Sequence, residues 1–398
     1  MKETKMLEEI RQYVKETRKE QEELLCQLAA IPAPSGQEDA RAAFCLEYLQ
    51  RIGYRQAFID DAKNVIVQIE GKDRRLPVHI YAAHLDTVFP DTEKMPVRVT
   101  ADRIYAPGVG DDTANAAAIL LVLKYLSEKD IQPDQDMVFA LDSCEEGLGN
   151  LKGCRRLMER FADRCGQFVS LDMGYDAGTD LAVGCRRWRI RLQTQGGHSF
   201  WDFGKENAIA QAAELITRLY QVNAGNLPGK VTYNAGQIQG GTSVNAIAQS
   251  ADFLYEYRAD SARGLETMDE IFENILEAFA GEGFSMEAGL QPCKGREEVL
   301  IEVDKIGDRP GMGQVDPCAM DDLRTRVSAS VYRQTGRHIR FDSGSTDCNI
   351  PLSMGIPSIC FGTWLGAGAH TREEYVLRDS LGPGLAAALD FVLTDMGM

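Results

Sequence analysis

Four short, mostly apolar runs set the architecture open to this chain. Val78–Ala83, Met137–Leu141, Phe168–Leu171 and Ile356–Phe361 are too short for buried helices and carry apolar residues on both faces, which reads as strands inside a sheet. Helical spacing occupies Lys5–Ala30, Ala40–Arg51 and Asn115–Leu126, and Pro32 and Pro34 stop the first helix. Strands alternating with helices predict an α/β domain with a mostly parallel sheet.

From about Gly184 to Ile306 the rhythm changes. Trp188–Thr194 alternates like a strand, Glu206–Tyr220 is helical, Lys230–Ile238 and Ala251–Arg258 alternate, Leu265–Ala280 is helical and Glu298–Lys305 alternates again. That order is β-α-β-β-α-β, a ferredoxin-like unit. The expected organisation is therefore a main domain begun by residues 1–184, an inserted unit at 185–306, and a return to the main sheet over 307–398.

Polar groups follow the carboxyl ends of the main-domain strands. Val78–Ala83 runs into His84-Leu85-Asp86, Met137–Leu141 leads to Glu145-Glu146, Phe168–Leu171 runs into Asp172, and Ile356–Phe361 leads through a Gly-rich loop to His370. Asp111, in Gly110-Asp111-Asp112, precedes the helix that begins at Asn115. In open α/β sheets the loops at this edge converge on one crevice, where ligands bind. A single histidine, or a pair of acids, has an ordinary explanation as a surface or capping residue. Their joint placement at strand ends, with two drawn from only five histidines in 398 residues, argues for one shared site.

Charge balance suggests the occupant. The carboxylates of Asp111, Glu146 and Asp172, together with one hydroxide, would balance two divalent cations, with His84 and His370 as neutral nitrogen ligands. Imidazole and carboxylate without thiolate suit zinc, with cobalt or manganese as substitutes, and two such ions form a co-catalytic hydrolase site. Asp86 is spaced to orient the His84 imidazole, and Glu145, the neighbour of a ligand, is left to act as general base.

Composition narrows the classes further. Sixty acidic against 43 basic residues give a formal charge of −17, which opposes binding to nucleic acid. The basic run Arg186–Arg191 alternates with Trp188 and Ile190, as one solvated face of a strand would. No G-x-S-x-G elbow is present, Cys144 sits beside two acids, and Gly147-Leu148-Gly149 lacks the third glycine of a dinucleotide loop. Ten cysteines without a C-x-x-C pair read as reduced thiols. Residues 1–23 do not look like a signal peptide and no stretch approaches a membrane span, so the expected location is the cytoplasm, with no membrane partner.

The motifs together resemble the co-catalytic zinc peptidases and deacylases, a family that includes tripeptide aminopeptidase, aminoacylase, acetylornithine deacetylase, succinyl-diaminopimelate desuccinylase and glutamate carboxypeptidase. The resemblance rests on His84-Leu85-Asp86-Thr87, Gly110-Asp111-Asp112, Glu145-Glu146-Gly147, Asp172, Gly196-Gly197-His198-Ser199, Gly240-Gly241 with Asn245, Arg258, Gly344-Ser345-Thr346-Asp347, and His370-Thr371 with Glu373-Glu374. It implies that Asp111 bridges two metals and precedes a cis peptide bond. It also implies that the inserted unit is a lid or dimerisation domain, making a homodimer. His198 would then stabilise the oxyanion, from the same chain or from a partner subunit. Asn245 and Arg258 match lid residues that hold a substrate carboxylate, and Ser345 and Thr346 match a substrate-contacting loop; Arg258 also reads as a solvent-facing strand residue.

Within that family, members acting on free amino termini tend to have Asp where Asp172 stands, and Ile306–Gly311 and Asp342–Asp347 resemble the tripeptidase branch. The resemblance thus implies an aminopeptidase on short peptides, with N-acyl amino acid deacylase or carboxypeptidase as the alternative. Thr113, where many relatives have Lys, and Ala248, where Pro is common, depart from the pattern.

Overall fold

The computed structural model describes residues 2–296 and 298–398. They form two compact units, one of residues 1–182 with 313–398 and the other Val183–Met312.

The first unit is built on an eight-stranded sheet. Its strands in chain order are β1 (Phe58–Ile59), β2 (Val65–Ile69), β3 (Val78–His84), β4 (Met137–Asp142), β5 (Cys165–Leu171), β6 (Ala177–Ala182), β7 (Arg340–Gly344) and β8 (Ser358–Phe361). Their spatial order is β1-β2-β4-β3-β5-β8-β6-β7. The central β4-β3-β5-β8 block is parallel throughout, while β1, β2 and the β8/β6 pair add antiparallel contacts. The apolar runs fall in that central block because both of its faces are covered: β4 is buried along its whole length.

The helices are α1 (Lys2–Ala29), α2 (Asp39–Arg51), α3 (Asn115–Glu128), α4 (Lys152–Phe161), α5 (Pro317–Thr335), α6 (Asn349–Ser353) and α7 (Arg378–Asp395). Helix α3 is apolar nearly all round and correspondingly buried. Tyr13 of α1 donates its hydroxyl hydrogen to the Leu121 carbonyl of α3 at 2.8 Å. At the other end of β3, Asp395 of α7 gathers His79 Nδ1 at 2.7 Å, Gln167 Nε2 at 2.8 Å and Arg326 Nη1 at 2.6 Å, which gives His79 a structural role. His338 stacks on Tyr332 with ring centroids 4.7 Å apart.

The second unit is an antiparallel five-stranded sheet in the order Val231–Gly240, Ser250–Ala259, Gly184–Gln193, Leu300–Arg309, Gln291–Pro292. With helices Ala208–Leu219 and Ala262–Ala280 between its strands, the chain order is β-α-β-β-α-β, followed through the four long strands. Trp188, Ile190, Leu192, Phe253, Tyr255, Tyr257, Ile301 and Val303 share one core with Leu215 and Phe272 of the helices. The alternate residues form a charged face, where Arg187 pairs with Glu256 at 3.3 Å and Arg191 with Glu302. The basic run therefore belongs to a solvated strand face. Among the described residues no helix is long and apolar enough to cross a membrane.

Candidate metal centre

The carboxyl ends of β3, β4 and β5 place His84, the Glu145-Glu146 segment and Asp172 along one edge of the first unit's sheet. Asp111 and His370 join them there. Asp111 Oδ1 lies 3.1 Å from His84 Nε2 and its Oδ2 lies 3.0 Å from His370 Nε2, so one carboxylate faces two imidazoles drawn from opposite ends of the chain. His370 Nε2 is also 3.0 Å from Glu146 Oε1. The Asp111–Asp112 peptide bond is cis.

His84 and the Glu145-Glu146 segment are held from behind. The His84 imidazole presents Nδ1 to the Asp86 main-chain carbonyl at 3.0 Å, and the Asp86 carboxylate is farther away, at 3.5 Å. With Nδ1 held by that carbonyl, Nε2 points at Asp111, donating to it in the metal-free chain, and would offer its lone pair to a cation once that proton is lost. The Asp86 carboxylate itself accepts the main-chain hydrogens of Glu145 and Glu146, each at 2.9 Å, and the Ser35 hydroxyl at 2.5 Å. Thus the shorter His84–Asp86 contact is to the main chain, and the Asp86 side chain fixes the Glu145-Glu146 segment. Glu38, fully buried, accepts from Gly36 N at 2.6 Å and Cys144 N at 3.2 Å and so braces the same segment from the residue preceding α2.

Three further residues carry structure that no motif spacing revealed. Asp112 accepts the His84 main-chain hydrogen at 3.0 Å and an Asn115 amide hydrogen at 2.6 Å, and Asn115 in turn accepts from Thr363 N and Oγ1, each at 2.7 Å. The buried Arg41 guanidinium donates to the Leu85 carbonyl at 2.7 Å and to Ile31 O at 2.6 Å. Thr113 donates to Gly108 O at 2.5 Å. The local signal for Arg41 was a charge at the start of an amphipathic helix; Asp112 and Glu374 lay inside recognised motifs without an assigned task.

Electrostatics describe a site short of positive charge. His370, half-exposed, is pushed up to about 10 by its hydrogen bonds to Asp111 and Glu146. Burial pulls the His84 pKa down, yet the Asp111, Asp112 and Asp86 carboxylates outweigh it and hold the imidazole well above its usual range. Burial and the Asp111 charge push Asp172 up to about 8. For Asp111 burial acts upward, but the two imidazoles win and keep it well below the usual carboxylate range.

The donor chemistry fits two hard-to-borderline cations. Three sets, His84 with Asp112 and Asp172, His84 with Glu145 and Glu146, and Asp111 with Glu146 and His370, each offer ligand atoms within 4.8 Å of one another. His84 belongs to two of the sets and Glu146 to two, and all donors are imidazole or carboxylate.

Thr346 Oγ1 accepts Cys348 N at 3.2 Å and its main-chain N donates to the Asn349 side chain at 2.9 Å, so this residue fixes the turn that leads into α6, with half-buried Ser345 before it. His198 and Asn245 lie in the second unit and are brought together there: Gly197-His198 pairs with Ala246-Ile247, and Ser199 N donates to Asn245 O at 3.0 Å. The His198 ring is exposed and its Nδ1 accepts Phe200 N at 3.2 Å. Arg258, in the same unit, binds Glu256 through Nε at 3.0 Å and Nη2 at 3.2 Å on the charged strand face.

A mostly parallel α/β sheet whose carboxyl edge gathers two imidazoles and several buried carboxylates defines a metal-dependent hydrolase with a candidate dinuclear site. The sequence pattern of peptidase family M20/M25/M40 matches residues 80–394, and the chain belongs to that family. Among curated relatives it is similar to the uncharacterized protein YqjE of Bacillus subtilis (strain 168), 23% identical over 79% of each chain. It is also similar to acetylornithine deacetylase of Myxococcus xanthus, 22% identical over 81% of this chain and 82% of the relative. Among solved structures, a tripeptidase from Staphylococcus aureus matches 96% of this chain and 99% of its own at a TM-score of 0.73 and 20% identity. The Bacillus subtilis YXEP protein, a dinuclear metal-binding M20 peptidase, matches 95% and 99% at 0.61 and 16%.

Proposed function

We propose that this chain is a two-metal aminopeptidase that hydrolyses short peptides. The observation that carries the reading is Asp111 facing His84 and His370 through its two oxygens, with Glu146 and Asp172 at the same edge and Glu145 beside them. His84, Asp111, Glu146, Asp172 and His370 would hold two divalent ions, zinc in the first place, with cobalt or manganese able to substitute. When bound, those ions supply Lewis-acid chemistry that polarises the scissile carbonyl and makes a water acidic.

Glu145 takes the proton from the attacking water and delivers it to the leaving nitrogen. His198 donates to the developing oxyanion, Asn245 and Arg258 hold the substrate carboxylate, and Ser345 and Thr346 line the substrate's path. Asp172, where deacylases and carboxypeptidases of the family tend to have Glu, favours a substrate with a free amino terminus, and the tripeptidase among the similar structures accords with that choice. The inserted unit serves as lid and as homodimer surface, and the cytoplasm, where short peptides are degraded, is the proposed location.

The acetylornithine deacetylase among the relatives favours a second reading, an N-acyl amino acid deacylase or carboxypeptidase. A panel of free-amine tripeptides and dipeptides against N-acetylated and N-succinylated amino acids, each with zinc, cobalt and manganese, separates the two. Turnover of the tripeptides is expected; turnover confined to N-blocked substrates overturns the aminopeptidase reading. His198→Ala is expected to lower kcat about a hundredfold, and a change in KM alone would remove its oxyanion role.

A further inference from the structure

Glu374 stands four residues beyond His370 and is fully buried. Its Oε1 accepts the main-chain hydrogens of Gly110 and Asp111, each at 2.8 Å, and its Oε2 accepts that of Gly108 at 2.7 Å. Three main-chain donors from the loop that carries Asp111 thus converge on one carboxylate. Charge-assisted bonds of this kind are roughly twice as strong as neutral ones.

The loop is shaped to receive that carboxylate. Gly108 has φ +70°, in the left-handed region. A Cβ on Gly110 would stand 2.5 Å from the Trp364 ring and 2.9 Å from Glu374 Oε1, so a larger residue would block the approach. The Glu374 main-chain carbonyl also accepts Ala106 N at 3.3 Å, which joins the segment bearing His370 to the segment bearing Asp111.

We propose that Glu374 is a positioning residue: it pre-sets the 108–111 loop so that Asp111 already faces His84 and His370 before any cation arrives. The inference rests on reading Asp111 as the shared ligand. Loop order established in advance removes part of the ordering cost of binding, so its loss weakens metal affinity rather than the peptide-binding step.

The test is equilibrium Co2+ binding to the metal-free protein, followed by visible absorption, for the wild type, Glu374→Ala, Glu374→Gln and Asp111→Asn, with kcat and KM measured alongside. Glu374→Ala is expected to bind Co2+ about tenfold or more weakly and to lose kcat with KM within about twofold. Glu374→Gln, whose amide oxygen can replace Oε1 toward Gly110 and Asp111, is expected to recover affinity to within about threefold. Asp111→Asn tests the underlying reading separately. If it loses Co2+ while Glu374→Ala binds like the wild type, the positioning role is overturned and the ligand reading stands; if it binds two ions normally, the ligand reading itself falls, and the positioning role with it.

Amide hydrogen exchange of the wild type decides the matter even where Glu374→Ala does not fold. The Gly108, Gly110 and Asp111 amides are expected to be protected in the metal-free protein. Rapid exchange there, with protection only after Co2+ is added, would mean that the cation and not Glu374 orders the loop.

Discussion

Asp86 Oδ1 accepts the main-chain hydrogen of Glu145 at 2.9 Å across 59 residues of sequence. The other Asp86 oxygen does the same for Glu146, so one buried carboxylate sets the direction of both neighbouring acids. Asp86→Ala leaves two buried amide hydrogens without acceptors, at about 1–3 kcal/mol each. It is expected to weaken Co2+ binding about 10- to 100-fold and to lower kcat with it. Asp86→Asn, which retains one acceptor oxygen, is expected to fall between. Equilibrium metal binding by both variants checks this, and wild-type affinity in Asp86→Ala would show that the Glu145-Glu146 segment holds itself.

Glu145 and Glu146 are adjacent and both buried; Glu146 lies 3.0 Å from His370, in keeping with a ligand, and Glu145 is the one proposed as base. Glu145→Gln should therefore leave the metal content near that of the wild type while kcat falls by about a thousandfold. Metal analysis of the purified variant beside its kinetics separates a lost base from a lost ligand. Substantial turnover in this variant would remove Glu145 from the proton-transfer role.

Metal binding should expel protons. In the metal-free protein His370, raised to about 10, and Asp172, raised to about 8, are protonated at pH 7, and His84 is held well above its usual range. All three must give up that proton to bind a cation, so affinity should rise with pH and about two or more protons should be released per chain at pH 7. Calorimetric Co2+ titrations in buffers of different ionisation heat measure the release directly. A binding heat independent of buffer would contradict it.

The parts of the site that ride on strong apolar runs were legible in the sequence. His84, Glu145, Glu146 and Asp172 follow β3, β4 and β5, whose interior burial demands continuous apolar stretches. Strand β1 has two residues, β6 reads Ala-Gly-Thr-Asp-Leu-Ala and β7 reads Arg-Phe-Asp-Ser-Gly, so none of the three carries an apolar run, whereas β2, Val-Ile-Val-Gln-Ile, is apolar and was simply not assigned. In the inserted unit the alternation of Leu300–Arg309 is interrupted by a bulge between Lys305 and Gly307, so a strand read from period two ended at Lys305. Glu38, Arg41, Asp112 and Glu374 escaped notice for another reason. Each acts on main-chain groups brought near only by the fold, and such partners have no characteristic spacing in sequence.

Behind the metal centre, Asp142 at the end of β4 and Asp347 before α6 are both fully buried, and neither carboxylate has another hydrogen-bond donor among the described residues. Burial pushes Asp142 up to about 7 from 3.8 and holds Asp347 well above the ordinary range, so around neutral pH the two share one proton and a second is taken up as pH falls through 7. The folded chain then binds more protons here than the unfolded chain. The sign follows: the pair's contribution to stability is fully present below about pH 4 and is lost as pH rises through 7. Asp142→Asn replaces the shared proton with an amide hydrogen that does not titrate. Its stability should decline less than that of the wild type between pH 5 and pH 8, by on the order of 2 kcal/mol. Urea unfolding of the metal-free proteins at the two pH values measures the difference, in which the pH dependence of the metal ligands cancels. Parallel declines would mean that Asp142 and Asp347 are neutralised by some means other than a shared proton.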